Sequence, residues 1–120
     1  MMLGIRIWNG KEMQYSELRW DDTVPMECSN HKDLKGRLIY ENDIIRYQKY
    51  IAIVRKGLYS YNTRLHNGWY LECYYGISKS IKPFYFDVND YLIIGNIFED
   101  YDLYQQLKMG KRSDVLDSVG

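Results

Sequence analysis

A chain of 120 residues is the size of one domain, or of one domain with an appendage. It can bury roughly two thirds of its unfolded surface, so it needs neither metal nor disulfide to fold. Sixteen basic and sixteen acidic residues cancel, which excludes the global positive field that drives non-specific nucleic-acid binding.

Apolar content of 46% is ordinary, but aromatic content is 16%, with 13 tyrosines against 3 phenylalanines. Tyrosine suits pleated, half-buried surfaces, so the composition leans towards β-structure. The Met1-Met2 start carries no basic region followed by an apolar run, and no stretch approaches the ~18 apolar residues of a membrane span. These features read as a cytoplasmic protein without a signal peptide. Cys28 and Cys73 then read as free thiols of a reducing compartment.

Residues 3–8, LGIRIW, alternate as a half-buried strand, with Leu3, Ile5 and Ile7 on one face and Gly4, Arg6 and Trp8 on the other. Asn9-Gly10 is a strong hairpin signal, and KEMQYSEL returns as a second strand. RWDDTVP, 19–25, reads as a loop or edge, and 28–37 as turn-rich. RLIY is a short strand ahead of the Glu41-Asn42-Asp43 hinge, and 44–56 is one long strand or a tight hairpin. Residues 57–68 end in Asn67-Gly68, a second hairpin signal, and 69–77 alternate as a strand. Pro83 breaks the chain before the strand FYFDV, 84–88, and Asn89-Asp90 turns it. YLIIGNIF, 91–98, is apolar on both faces and reads as the most buried strand. Residues 99–110 are the helical candidate, with Asp102 as cap, Leu103 and Leu107 on one face, and Gly110 to close it. The remainder reads as a frayed tail. Short strands with frequent turn signals suggest a small barrel or sandwich.

Tight corners between strands need residues that tolerate left-handed backbone. Gly36 serves the first corner cheaply, and Asn42 serves the second. The Asp43 carboxylate can accept backbone N–H groups left unpaired there, so it reads as a strand-start cap worth about 1 kcal/mol. A catalytic reading finds no partner for it.

At these residues the sequence resembles the YopX family, small proteins of phages and prophages. The opening is IRIW, 5–8, the block is CSNHKDLKGRLIYENDII, 28–45, and the close is IGNIFED, 94–100. Lys32, Asp33, Gly36, Ile39, Tyr40, Glu41, Asp43 and Ile44 agree with the family block. Asn30 and Asn42 stand where the family has glycine, Cys28 where it has an aromatic, and His31 where it has leucine. The resemblance implies a mainly β fold: a small SH3-like β-barrel over 28–108, an N-terminal β-strand or hairpin appendage over 1–27, one short C-terminal helix and a tail over 109–120. It implies no activity, and no functional residue is carried over from it.

Other chemistry is sparse. Cys28-x-x-His31 has ligand-like spacing, but a zinc site presents two tight pairs, and His66 and Cys73 have opposite strand parity. Cys73 shares a face with Trp69 and Leu71 and reads as core. Cys28 and His31 with Asp33 could also form a nucleophilic set, but a polar turn accounts for the same residues. No phosphate loop, dinucleotide fingerprint or paired acid–base carboxylates are present. No cofactor and no metal are therefore expected, and no enzyme activity. The candidate binding face gathers Tyr47, Lys49, Tyr50, Arg55, Lys56, Tyr59 and Tyr61, with Lys79 and Lys82 nearby. Tyrosines and cations of this kind can anchor a protein partner, from host or phage, or stack nucleotides while tracking phosphates. The expected function is thus a non-enzymatic binding module for a protein, with nucleic acid as the alternative. Self-association through the edge of LGIRIW is also compatible.

Overall fold

Alternation and turn chemistry give this chain its ladders, and the computed structural model describes residues 5–15, 24–75 and 78–109. Among them lie β1 (Ile5–Trp8), β2 (Met13–Tyr15), β3 (Val24–Lys32), β4 (Leu38–Tyr40), β5 (Asp43–Tyr47), β6 (Tyr50–Tyr61), β7 (Arg64–Tyr75), β8 (Ser78–Pro83), β9 (Leu92–Asn96) and α1 (Tyr101–Lys108). Strand accounts for 62% of the described residues, so the protein is mainly β with one short helix. One sheet runs β2-β1-β3-β4, and a second, curled into a half-barrel, runs β8-β7-β6-β5-β9. All pairings are antiparallel.

The five-stranded sheet is covered on both faces where β5 and β6 cross it. Ile45, Ala52, Val54 and Leu71 pack on one side with Phe84 and Tyr91. Their sequence neighbours Ile44, Ile51 and Ile53 pack on the other with Tyr74 and Leu107 of α1. Two buried faces explain why residues 51–54 form an unbroken apolar run.

Several expectations need correction. The β6–β7 turn lies at Asn62–Thr63, with φ of 51° and 61°, and not at Asn67-Gly68. Turning there lets Tyr50–Tyr61 pair with Arg64–Tyr75 along its length, and Gly68 instead faces Gly57 inside the ladder. Residues 24–25, read as loop or edge, and 28–32, read as turn-rich, belong with 26–27 to one strand. Its first half pairs with β1 and its second with β4, across an irregularity at Asn30, where φ is 62°. FYFDV is not a strand. Residues 84–91 form a loop turning at Phe86–Asp87, not at Asn89-Asp90, and held by Tyr85 N–H donating to Tyr91 Oη at 2.9 Å.

The strand β9 is an edge strand, and the most buried stretch is Ile51–Val54, each residue fully buried. The cap position of α1 falls to Asp100, whose side chain makes no cap bond, while Asp102 sits in the first turn. β1 is paired on both sides, so its edge is not open to a second chain. Gly110 and the tail beyond it, with Leu3 and Gly4, lie outside the described residues.

Candidate functional site

The Glu41-Asn42-Asp43 hinge joins the two sheets. Asn42 has φ of 69°. Its N–H donates to the Val54 carbonyl at 2.7 Å, and its own carbonyl accepts from Ile97 at 3.1 Å. Asp43 Oδ2 accepts from the Tyr40 N–H at 2.8 Å, as a strand-start cap does. Its Oδ1 meets Arg6 Nη2 at 2.8 Å, and the same nitrogen donates to the Glu41 carbonyl at 2.9 Å. Arg6 and Asp43 side chains are 4% and 2% exposed. Burial pushes the Asp43 carboxyl up to about 6, although Arg6 and the Tyr40 N–H pull the other way.

The preceding turn is fastened by a second aspartate. Asp33 accepts from Lys35 N–H, Arg37 N–H, the Arg37 guanidinium and Ile93 N–H, all within 3.1 Å. Burial raises its pKa, but these hydrogen bonds outweigh burial and hold it below the ordinary value. Arg37 also donates to the Ile93 carbonyl at 2.8 Å, and Leu34 N–H to the Tyr91 carbonyl at 2.7 Å. The turn at Gly36, with φ of 81°, thereby covers the open edge of β9.

Between β4 and β9 a cleft of about 520 Å³ remains. Arg6, Tyr40 and Asp43 contribute from the corner, Ile94 and Gly95 from β9, and Glu99 and Asp100 from the turn into α1. Asp100 can lie against β9 only because residue 95 is glycine. A Cβ there would stand 2.5 Å from Asp100 Oδ2, which accepts the Asn96 N–H at 3.0 Å. Glu99 Oε1 accepts from Asn96 Nδ2 at 2.7 Å.

The tyrosines and cations named in the sequence are distributed over both sides of the β6–β7 ladder. Tyr47 and Tyr50 pack beside the first core cluster, and Lys82 donates to Tyr50 Oη at 3.3 Å, which raises the Lys82 pKa. Lys49 lies over the Tyr75 ring, 5.0 Å from its centre. Arg55 donates to Asn42 Oδ1 at 2.8 Å and lies 3.7 Å from Glu72, on the opposite side from Lys56, which pairs with Glu27. Tyr59 and Tyr61 lie far along the hairpin, where they line a second concavity of about 480 Å³ with Arg64 and His66. Tyr59 stacks on His66 and on Tyr70, with centroids 5.2 and 4.9 Å apart.

Cys28 and Cys73 are free and buried, and burial pushes the Cys73 thiol up to about 11. His31 is held by the Val88 carbonyl at 2.6 Å among Phe84, Phe86 and Tyr91. No group of three His, Cys, Asp or Glu able to hold a metal occurs among the described residues. None of their helices is long and apolar enough to cross a membrane.

The sequence profile of the YopX protein family matches residues 5–105, most of the chain. The chain belongs to the YopX family. No curated protein matches it. In this YopX chain the site residue that sequence reasoning missed is Arg6. Alternation put it on the outer face of an amphipathic strand, and only the corner 35 residues away turns that face inward. A lone cation flanked by Ile5 and Ile7 was the available signal.

Proposed function

We propose that this YopX-family chain is a non-enzymatic, phage-type module that binds a host or phage protein in the host cytoplasm. On this reading the curled sheet and the β3–β4 pair form an SH3-like barrel, and the far end of the β6–β7 hairpin is presented to the partner. One observation carries it: Leu58 and Leu65 are 67% and 72% exposed. Ser60 faces Leu65 in the ladder, two residues on from Leu58, so both leucines project from the same side as diagonal neighbours. Apolar side chains held outside the core on a regular ladder are what a partner surface buries.

The cations favour protein over nucleic acid. Lys56 pairs with Glu27, while Arg55 and Lys79 both lie near Glu72. Acids interspersed among bases remove the continuous positive field that a phosphate backbone requires. The stacked Tyr59, His66 and Tyr70 beside Arg64 support the nucleic-acid alternative.

The test is capture from host lysate by the tagged full chain, with and without nuclease, beside a Leu58→Ser/Leu65→Ser variant. The expected result is one protein recovered in both nuclease arms by the wild type and lost by the variant, with the melting temperature unchanged. Retention by the variant would remove the hairpin surface from the reading. Loss after nuclease would turn it to the alternative.

A further inference from the structure

The β6–β7 hairpin outruns both of its neighbours in the sheet. The β5 ladder leaves β6 at Ile53, and the β8 ladder leaves β7 at Tyr70, where Pro83 is the last partner. Asn62-Thr63 is a two-residue turn, so the flanking Tyr61 and Arg64 exchange hydrogen bonds across the ladder. Every second residue after Arg64 then points its N–H and C=O at β6, while Leu65, Asn67 and Trp69 point theirs outward. The Trp69 carbonyl accepts from the Phe84 N–H at 3.2 Å as the chain departs. The outward groups of Leu65 and Asn67 have no backbone partner among the described residues. β7 thus presents an open edge from Arg64 to Gly68, in line with β8, and such an edge is a template for one more strand.

The two sides of this edge differ. Leu65 stands exposed on one. Arg64 and His66 stand on the other, in the concavity of about 480 Å³ that Tyr61 and Pro83 also line. His66 is held there by its stack on Tyr59 and by the Tyr61 carbonyl, 3.3 Å from Nε2. Residues 55–68 contain no acid, and Arg64 makes no ion pair among the described residues. A strand laid along β7 alternates its side chains between the two sides, so one row meets Leu65 and the other meets Arg64. Opposite charges directly across a ladder stabilise it and like charges destabilise it, so the second row is acidic.

We propose that the outer edge of β7, from Arg64 to Gly68, binds an extended segment of the partner protein as an added antiparallel strand, with apolar side chains beside Leu65 and acidic ones opposite Arg64. The segment takes the line that β8 leaves at Pro83. This rests on the reading of the chain as a protein-binding module and gives the chemistry of the partner at the same hairpin.

The probe is acetyl-Glu-Val-Glu-Val-Glu-amide, titrated into the ¹⁵N-labelled full chain and followed by NMR. Its valines fall opposite Asn67 and Leu65, with their N–H groups facing β7. The Leu65 and Asn67 N–H signals are expected to shift and to exchange with solvent more slowly. N-methylation of both valines is expected to weaken binding about tenfold, while N-methylation of the central glutamate, whose N–H faces away, leaves binding unchanged. Glutamine in place of the glutamates is expected to weaken binding about fivefold to the wild type and not at all to Arg64→Gln. No binding, unmoved Leu65 and Asn67 N–H signals, or equal binding of the valine-methylated peptide would overturn the added strand. Equal binding of the glutamine peptide to the wild type would overturn the acidic partner. The same signals moving with protein concentration alone would make the occupant a second copy of this chain, and tighter binding of oligothymidylate would make it nucleic acid; either overturns the proposal. A lysate partner that the Leu58→Ser/Leu65→Ser variant loses, found beside a peptide that does not bind, would overturn the added strand and keep the protein-binding reading.

Discussion

Arg6 Nη2 lies 2.8 Å from Asp43 Oδ1, and this buried pair ties β1 to the strand that opens the second sheet. Removing one member leaves the other charged and sealed from water, which typically costs about 3–5 kcal/mol. Asp43→Ala is therefore expected to cost that much, well above the roughly 1 kcal/mol of a cap alone, since Arg6 would lose its counter-charge and the Tyr40 N–H its acceptor. Removing both charges in Arg6→Met/Asp43→Ala is expected to cost less than the two single losses summed. Urea unfolding of the four proteins checks this, and additive losses would mean that the pair is not coupled.

Asp43 also sets a pH dependence. Its carboxyl is raised from 3.8 to about 6 in the folded state. The folded protein therefore takes up this proton before the unfolded chain does. The group's contribution is fully present below pH 3.8 and is lost as pH rises through about 6. Stability is expected to rise by about 1 kcal/mol from pH 7 to pH 5 through this group, and Asp43→Asn removes that rise. Asp33 acts in the opposite sense. Its pKa is lowered, so its contribution is present above 3.8 and lost as pH falls through the folded value. A ¹³C titration of the Asp43 carboxyl with a midpoint below 4 would remove the first effect.

Local chemistry made some of this fold legible and long-range register hid the rest. Asn9-Gly10 marks the β1–β2 hairpin, because Gly10 takes φ of 95° and Asn9 Oδ1 accepts from Lys11 and Glu12 within the turn. Asn67-Gly68 has the same signature and makes no turn. Turning at 62–63 sets Ile51 and Val54 opposite Tyr74 and Leu71, and that burial overrides the local preference. The hinge is legible from Asn42 and Asp43. The cleft is not, because its walls come from β1, β2, β4, β5, β9 and the turn before α1. Alternation within β6 does place the neighbours Arg55 and Lys56 on opposite sides, so grouping them in one binding face overlooked a signal that the sequence carries.

The β6–β7 turn carries strain that can be relieved. Thr63 holds φ of 61°, a left-handed conformation that β-branched residues avoid. Its side chain is exposed and donates to the neighbouring Asn62 carbonyl. Thr63→Gly creates the preferred Asn-Gly turn and is expected to stabilise the protein by about 1 kcal/mol, despite the extra freedom glycine gives the unfolded chain. Thermal melting checks the sign, and a lower midpoint would show that the turn holds Thr63 without strain.

Gly95 makes the opposite prediction. A Cβ added there would lie 2.5 Å from Asp100 Oδ2 and 3.1 Å from Asp100 Cβ, so the side chain would have to swing away. Swinging away breaks the bond from Asn96 N–H and leaves that donor with the α1 turn to find another partner. Gly95→Ala is expected to cost about 1–3 kcal/mol. Asp100→Gly alone is expected to cost a similar amount, because it deletes the same acceptor. The two changes combined are expected to cost less than their sum, since the three atoms nearest the added methyl are then gone. A double-mutant cycle by urea unfolding reads this directly. Additivity would show that the contact between residue 95 and Asp100 does not shape this wall of the cleft.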